Sequence, residues 1–94
     1  MFALALLLKP FVGKIISYKK GLSPYKDPVL TGFSIYANEI FLHFEFSPEL
    51  RISEVFDIQD VERIEVSSEG LVLTVFDKRA ESRIRAESIF KFPN

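Results

Sequence analysis

Ninety-four residues, 48% of them hydrophobic, make one domain, and the absence of cysteine excludes disulfide staples, thiolate zinc sites and cysteine nucleophiles. The formal net charge of −1 hides a division: the first 26 residues hold five lysines (Lys9, Lys14, Lys19, Lys20, Lys26) and no acid, and the remaining 68 hold all thirteen acids against seven basic residues. A cationic, apolar arm of +5 therefore precedes an acidic body of −6, and an acidic body disfavours nucleic acid as a partner.

Residues 1–20 predict a basic, apolar helix. Leu4, Leu7, Leu8, Phe11, Val12, Ile15 and Ile16 recur at three- and four-residue steps and share one face. Lys9, Lys19 and Lys20 fall on the opposite side, with Lys14 flanking it. Pro10 kinks such a helix or begins its second half, because it lacks an N–H and clashes with the preceding turn. A membrane span needs about 20 consecutive apolar residues, and Lys9 and Lys14 interrupt this stretch. A secretory leader carries its basic residues before the apolar run, and here they follow. The expectation is a soluble or interfacial helix whose apolar face packs on the chain's own sheet or meets a membrane surface, in a cytoplasmic setting with membrane-peripheral attachment as the alternative.

Residues 21–32 predict a connecting loop, since Gly21, Pro24, Pro28 and Gly32 punctuate twelve residues, with Tyr25 as a loop anchor beside Lys26. Residues 33–94 predict an antiparallel β body. Phe33, Ile35 and Ala37 alternate with polar neighbours, and Asn38-Glu39 is a plausible tight turn. Ile40, Leu42, Phe44 and Phe46 then share one strand face, with Phe41, His43 and Glu45 on the other. Pro48 ends that strand and residues 50–56 form a short further one. Residues 58–64 carry apolar positions at helical spacing, and Ile64 and Val66 alternate with Glu65. After a turn ending at Gly70, residues 71–76 are the clearest strand, rich in β-branched side chains. Residues 77–79 make a charged turn. Over 80–94 alternation favours a strand at 82–86, whereas the Glu81–Arg85 and Arg83–Glu87 spacings also suit a helix.

Catalytic chemistry has few routes here. His43 is the single histidine and reads as a half-exposed strand residue. Asp57 and Asp60 read as the N-cap and third position of a helical turn rather than as a carboxylate pair. No glycine-rich phosphate loop and no metal-ligand spacing is present, so no enzyme activity, cofactor, metal or catalytic residue is expected. Lys78, Arg79, Arg83 and Arg85 form a second basic cluster that suits either of two roles, binding phosphate or answering Glu62, Glu65 and Glu69 across the sheet.

One pattern extends beyond periodicity. Gly32-Phe33-Ser34-Ile35-Tyr36-Ala37-Asn38, the apolar alternation from Ile40 to Phe46, the spacing Ile58-x-x-Val61-x-x-Ile64 and the run from Leu71 to Phe76 together resemble the small bacterial pleckstrin-homology-like domains. The resemblance covers residues 32–86 and implies a non-catalytic domain that follows membrane helices in several such families. The chain departs from that outline in having no C-terminal capping helix and too few predicted strands for a seven-stranded barrel.

The expected fold is α+β: an N-terminal helix and an antiparallel sheet of about five strands, pleckstrin-homology-like or half-barrel. The expected function is a non-enzymatic binding module held at an anionic membrane surface by its arm, through Lys9, Lys14, Lys19, Lys20, Leu4, Leu8, Phe11 and Ile15. The alternative is a soluble homo-oligomer or protein-interaction adaptor, in which the same arm packs on a partner.

Overall fold

The structure, a computed structural model, describes residues 2–21, 27–77 and 87–94. Among these residues it is α+β, with one short α-helix and seven antiparallel strands in two sheets. The helix α1 spans Phe2–Leu8. Its alanines and leucines are strong helix formers. It stops where Pro10 would clash with the turn before it, and a single 3-10 turn, Lys9–Phe11, follows. Gly13, at φ +90°, then swings the chain into extended backbone.

The predicted helix over 1–20 is thereby corrected. Beyond Pro10 the chain leaves helical geometry, and Ser17–Lys20 is strand β1. There Tyr18 points inward and Lys19 outward, so the arm's second half follows a period of two.

The other strands are β2 (Val29–Tyr36), β3 (Glu39–Ser47), β4 (Leu50–Asp57), β5 (Val61–Ser67), β6 (Gly70–Phe76) and β7 (Glu87–Pro93). The expected sheet of about five strands is corrected to seven strands in two sheets, ordered β2-β3-β4 and β1-β7-β6-β5. Two strands are additional: β1, which comes from the arm, and β7, which spans Glu87–Pro93. The loop predicted over 21–32 yields its end to β2, which begins at Val29. The expected strand at 82–86, the second basic cluster and the Tyr25–Lys26 loop anchor lie outside the described residues.

Sheet β2-β3-β4 is a meander. Its first hairpin turns on Ala37 and Asn38, one residue earlier than predicted, with Tyr36 paired to Glu39. Between the sheets lies an aromatic core. Tyr18 stacks on Phe44 and Phe90 at centroid distances of 5.3 and 5.7 Å, and Phe56 stacks on Phe90 at 5.8 Å. Leu30, Ile40, Leu42, Leu73 and Phe92 fill the rest. Burial of this kind is what folds a chain without staples. The helix plugs one end, burying Leu4 and Leu8, and Phe11 meets Phe92 at 5.5 Å.

The two seams of this sandwich differ. At one, residues 13–16 cross from β1 to the start of β2. Gly13 N–H donates to the Leu30 carbonyl (2.7 Å), Leu30 N–H to that of Lys14 (3.0 Å) and Ile16 N–H to that of Pro28 (2.8 Å). The Ser17 hydroxyl also donates to Asp27 at 2.9 Å. At the other seam, β4 leads into β5 through a 3-10 turn, Ile58–Asp60, the two strands share no ladder, and each is the outer strand of its sheet among the described residues. Asp57 occupies the N-cap position of that turn, as read from sequence, but its side chain makes no capping hydrogen bond.

Candidate functional site

The open seam is where the molecule exposes apolar side chains. From Glu62 to Ser67 every residue of β5 is exposed. Register explains why this is unusual. Ile64 pairs with Leu73 and Val66 with Leu71, both buried, so Ile64 and Val66 belong to the sheet's inward face. They nonetheless remain 45% and 65% exposed, because no strand of the other sheet covers them. Helix α1 contributes Leu6, 70% exposed, to the same side. Leu6, Pro10, Val66 and Leu71 line a shallow cleft of ≈180 Å³ there.

The polar chemistry of β5 lies on its other face. Arg63 Nη1 is 2.9 Å from Glu65 Oε1, and both side chains are exposed. A bulge between Val61 and Arg63 bends the strand at its start. The edge therefore offers a straight stretch from Arg63 to Ser67 with unlike charges outward and β-branched side chains inward.

The turn into β6 depends on Gly70. Its φ is +134°, and a Cβ there would stand 2.0 Å from the Phe92 carbonyl oxygen. Only glycine allows β7 to approach this closely. Asn94 fastens the same end, its N–H donating to the Glu69 carbonyl and its Nδ2 to that of Ser68, both at 3.0 Å. A wider hollow of ≈350 Å³ opens on the outer side of this end, with Lys91, Glu69 and Ser17 around Val72.

The residues singled out in the arm do not converge on one surface. Leu4, Leu8 and Phe11 are buried in the core, so the helix's apolar stripe is occupied by the protein's own sheets. Ile15 is 61% exposed at the closed seam. Lys9 and Lys14 are exposed, and Lys14 Nζ sits 5.7 Å over the Phe11 ring. Lys19 is half-buried on the outer face of β1. Lys20 reaches across to Glu54 of β4 at 3.2 Å. The cationic helix side predicted from Lys9, Lys19 and Lys20 does not form, because the last two are strand residues.

His43 is half-buried on β3, as expected. Its ring lies between Ser53 on β4 (Nδ1 to Oγ, 2.8 Å) and Ser34 on β2 (Nε2 to Oγ, 3.4 Å), stitching three strands. Tyr18 was read only as part of the helix. Burial, and secondarily the negative charge of Glu54, pushes its hydroxyl above the usual tyrosine value. Among the described residues no helix is long and apolar enough to cross a membrane, and no group of three or more acidic, histidine or cysteine side chains is placed to hold a metal ion.

Leu6, Arg63, Ile64, Glu65 and Val66 were not singled out from sequence as a site. In sequence Ile64 and Val66 read only as positions alternating with Glu65. The signal available was that Arg63, Glu62 and Glu65 crowd the same short strand.

No family model, curated protein or solved structure matches the chain. The site's chemistry rests on its own geometry.

Proposed function

We propose that this chain is a non-enzymatic protein-interaction module that recruits an extended segment along the open edge of β5. The observation that carries the reading is the exposure of Ile64 and Val66 on a face their register assigns to the interior. An edge strand presents unpaired backbone donors and acceptors, and a further strand satisfies them while its alternate side chains cover the apolar face. A core that leaves inward positions uncovered gains by such an addition. A pleckstrin-homology-like kinship of residues 32–86 stays within the proposal on its residue pattern alone.

The test is selection of a random peptide display library on the immobilised chain, with counter-selection on Val66→Glu. Peptides that alternate apolar and polar residues, bind the native chain and slow amide exchange in β5 are the expected winners. A library from which nothing separates a monomeric native chain from the variant sinks the reading.

A second reading, association with an anionic membrane surface, is favoured by residues 9–15. With the helix face buried, this turn still exposes Val12 and Ile15 beside Lys9 and Lys14. Each lysine near an anionic surface is worth about 1 kcal/mol. Co-sedimentation with phosphatidylserine vesicles, compared with neutral ones and with Lys14→Glu plus Ile15→Asp, decides it. Equal recovery in all three arms removes this reading.

A further inference from the structure

We infer that the occupant of the β5 edge is a second copy of this chain, pairing β5 with β5 in antiparallel fashion about a two-fold axis at Ile64. The inference rests on the reading of β5 as a docking edge and names its partner. The pleat limits the possible registers. Residues directly opposite one another in an antiparallel pair lie on the same face, so outward residues meet outward ones. The central axis can then fall on Arg63, Ile64 or Glu65. An axis at Arg63 opposes two guanidinium groups. An axis at Glu65 opposes two carboxylates. The axis at Ile64 alone sets each Arg63 against Glu65 of the second copy, and it does so twice.

The same register suits the inward face. Ile64 stacks on Ile64 of the second copy, each Val66 lies diagonally across from it within side-chain reach, and Glu62, at the bulge that ends the paired stretch, comes opposite Val66. Leu6 of each helix flanks this strip, since Leu6 and Val66 line one cleft in the single chain. The three most relevant exposures, at Leu6, Ile64 and Val66, would all fall on pairing.

The outer face already shows the charge pattern such pairing needs. Arg63 and Glu65 are in contact within one strand at 2.9 Å. On pairing, each guanidinium lies between two carboxylates in an alternating square of four charges. The bulge between Val61 and Arg63 bends the strand away beyond this stretch. That bend, with the two-fold symmetry, closes the contact as a dimer and stops it from propagating as a fibre.

Sedimentation equilibrium of the full chain over roughly 1–200 µM tests the inference by mass action. A dimer is expected. Arg63→Glu alone and Glu65→Arg alone each set like charges opposite one another, and each should raise the dissociation constant at least tenfold, with unchanged circular dichroism. The double swap, Arg63→Glu with Glu65→Arg, restores the square and should return dimerisation to within about threefold of the native chain. A native chain that is monomeric at the highest concentration overturns the inference. A dimer indifferent to both single swaps overturns it too, as does a double swap that rescues nothing. A monomer that still selects β5-dependent peptides overturns the second copy while leaving the interaction module standing. A dimer with the charge-swap signature that selects no peptides supports the second copy as the occupant.

Discussion

The two seams of the sandwich are built from similar residues and end differently. At the β1–β2 seam, Ile16 and Leu30 are fully buried, and three backbone hydrogen bonds carry the chain from one sheet to the next. At the β4–β5 seam, Ile64 and Val66 are equally apolar and stay exposed, because β4 and β5 have no pairing between them. The contrast teaches that apolarity alone does not bury a strand residue. For an inward-facing residue, burial follows when the backbone groups beside it find partners, since an unpaired N–H or C=O cannot be taken out of water cheaply, whereas Ile15 at the β1–β2 seam stays 61% exposed. The closed seam solves that problem within one chain. The open seam leaves Glu62 to Ser67 of β5 exposed to solvent.

The strongest way to break the comparison acts on the support beneath the open seam. Gly70→Ala places a methyl group against the Phe92 carbonyl, where a Cβ would lie 2.0 Å from the oxygen. β7 must move or β6 must lose its register. A loss of roughly 3 kcal/mol or more is expected, read as the shift in a urea melt. Since β6 carries β5, amide protection in both strands should fall together.

Matched truncations measure the seams directly. Ile16→Ala removes a side chain with no exposure and should cost roughly 2–4 kcal/mol. Ile64→Ala removes one already partly in water and should cost under about 1 kcal/mol in dilute solution. Equal losses from the two would show that the β4–β5 side is covered in solution even in the monomer.

The third test uses pH. Tyr18 sits in the aromatic stack of the closed side, and its hydroxyl is held above the usual value of about 10, first by burial and then by the charge of Glu54. A raised folded-state value means that the unfolded chain loses the proton first. The stabilisation is therefore complete below about pH 10 and is lost as pH rises through the folded value. Tyr18→Phe should leave stability at pH 7 within about 1 kcal/mol and flatten the alkaline decline. The phenolate absorbance missing in that variant should correspond to a tyrosine titrating above the ordinary range. Glu54→Gln should lower that titration by less than its full displacement, because burial is the larger cause.

Much of this architecture was visible in residue order. The alternation from Ile40 to Phe46 and from Leu71 to Phe76 marked β3 and β6, and the Leu4–Leu8–Phe11 spacing marked a face that does become core. What stayed hidden was non-local. Phe11, Val12, Ile15 and Ile16 fit a helical period by coincidence, and only Pro10 and Gly13 argued against it. Strand β1 is short and carries two lysines, a residue type depleted in strands. Its register is set by β7, where Ser17 meets Lys91 and Tyr18 meets Phe90 at the far end of the chain. The candidate site was less legible still. Nothing in the order Arg63-Ile64-Glu65-Val66 tells which neighbour covers the inward side, because exposure there depends on where β4 ends.

The smallest expected effect lies at the hairpin that feeds the open seam. Ala37 has φ +54°, the one positive value at a non-glycine among the described residues. It is the first residue of the two-residue turn between Tyr36 and Glu39, a position that favours glycine. Alanine in that conformation costs roughly 1 kcal/mol. Glycine relieves the strain but adds freedom to the unfolded chain, worth about 0.5–1 kcal/mol the other way. Ala37→Gly should therefore raise the melting temperature by no more than roughly 2–4 °C and leave dimerisation unchanged. The neighbouring Asn38 carbonyl accepts the N–H of Ile58 at 2.8 Å, the bond that sets the path from β4 into β5. If Ala37→Gly instead destabilises and shifts the dissociation constant, the stiff alanine turn is what holds Asn38 in place. The strain in β2–β3 would then position the open edge of β5, and the two seams would be coupled through this one hairpin.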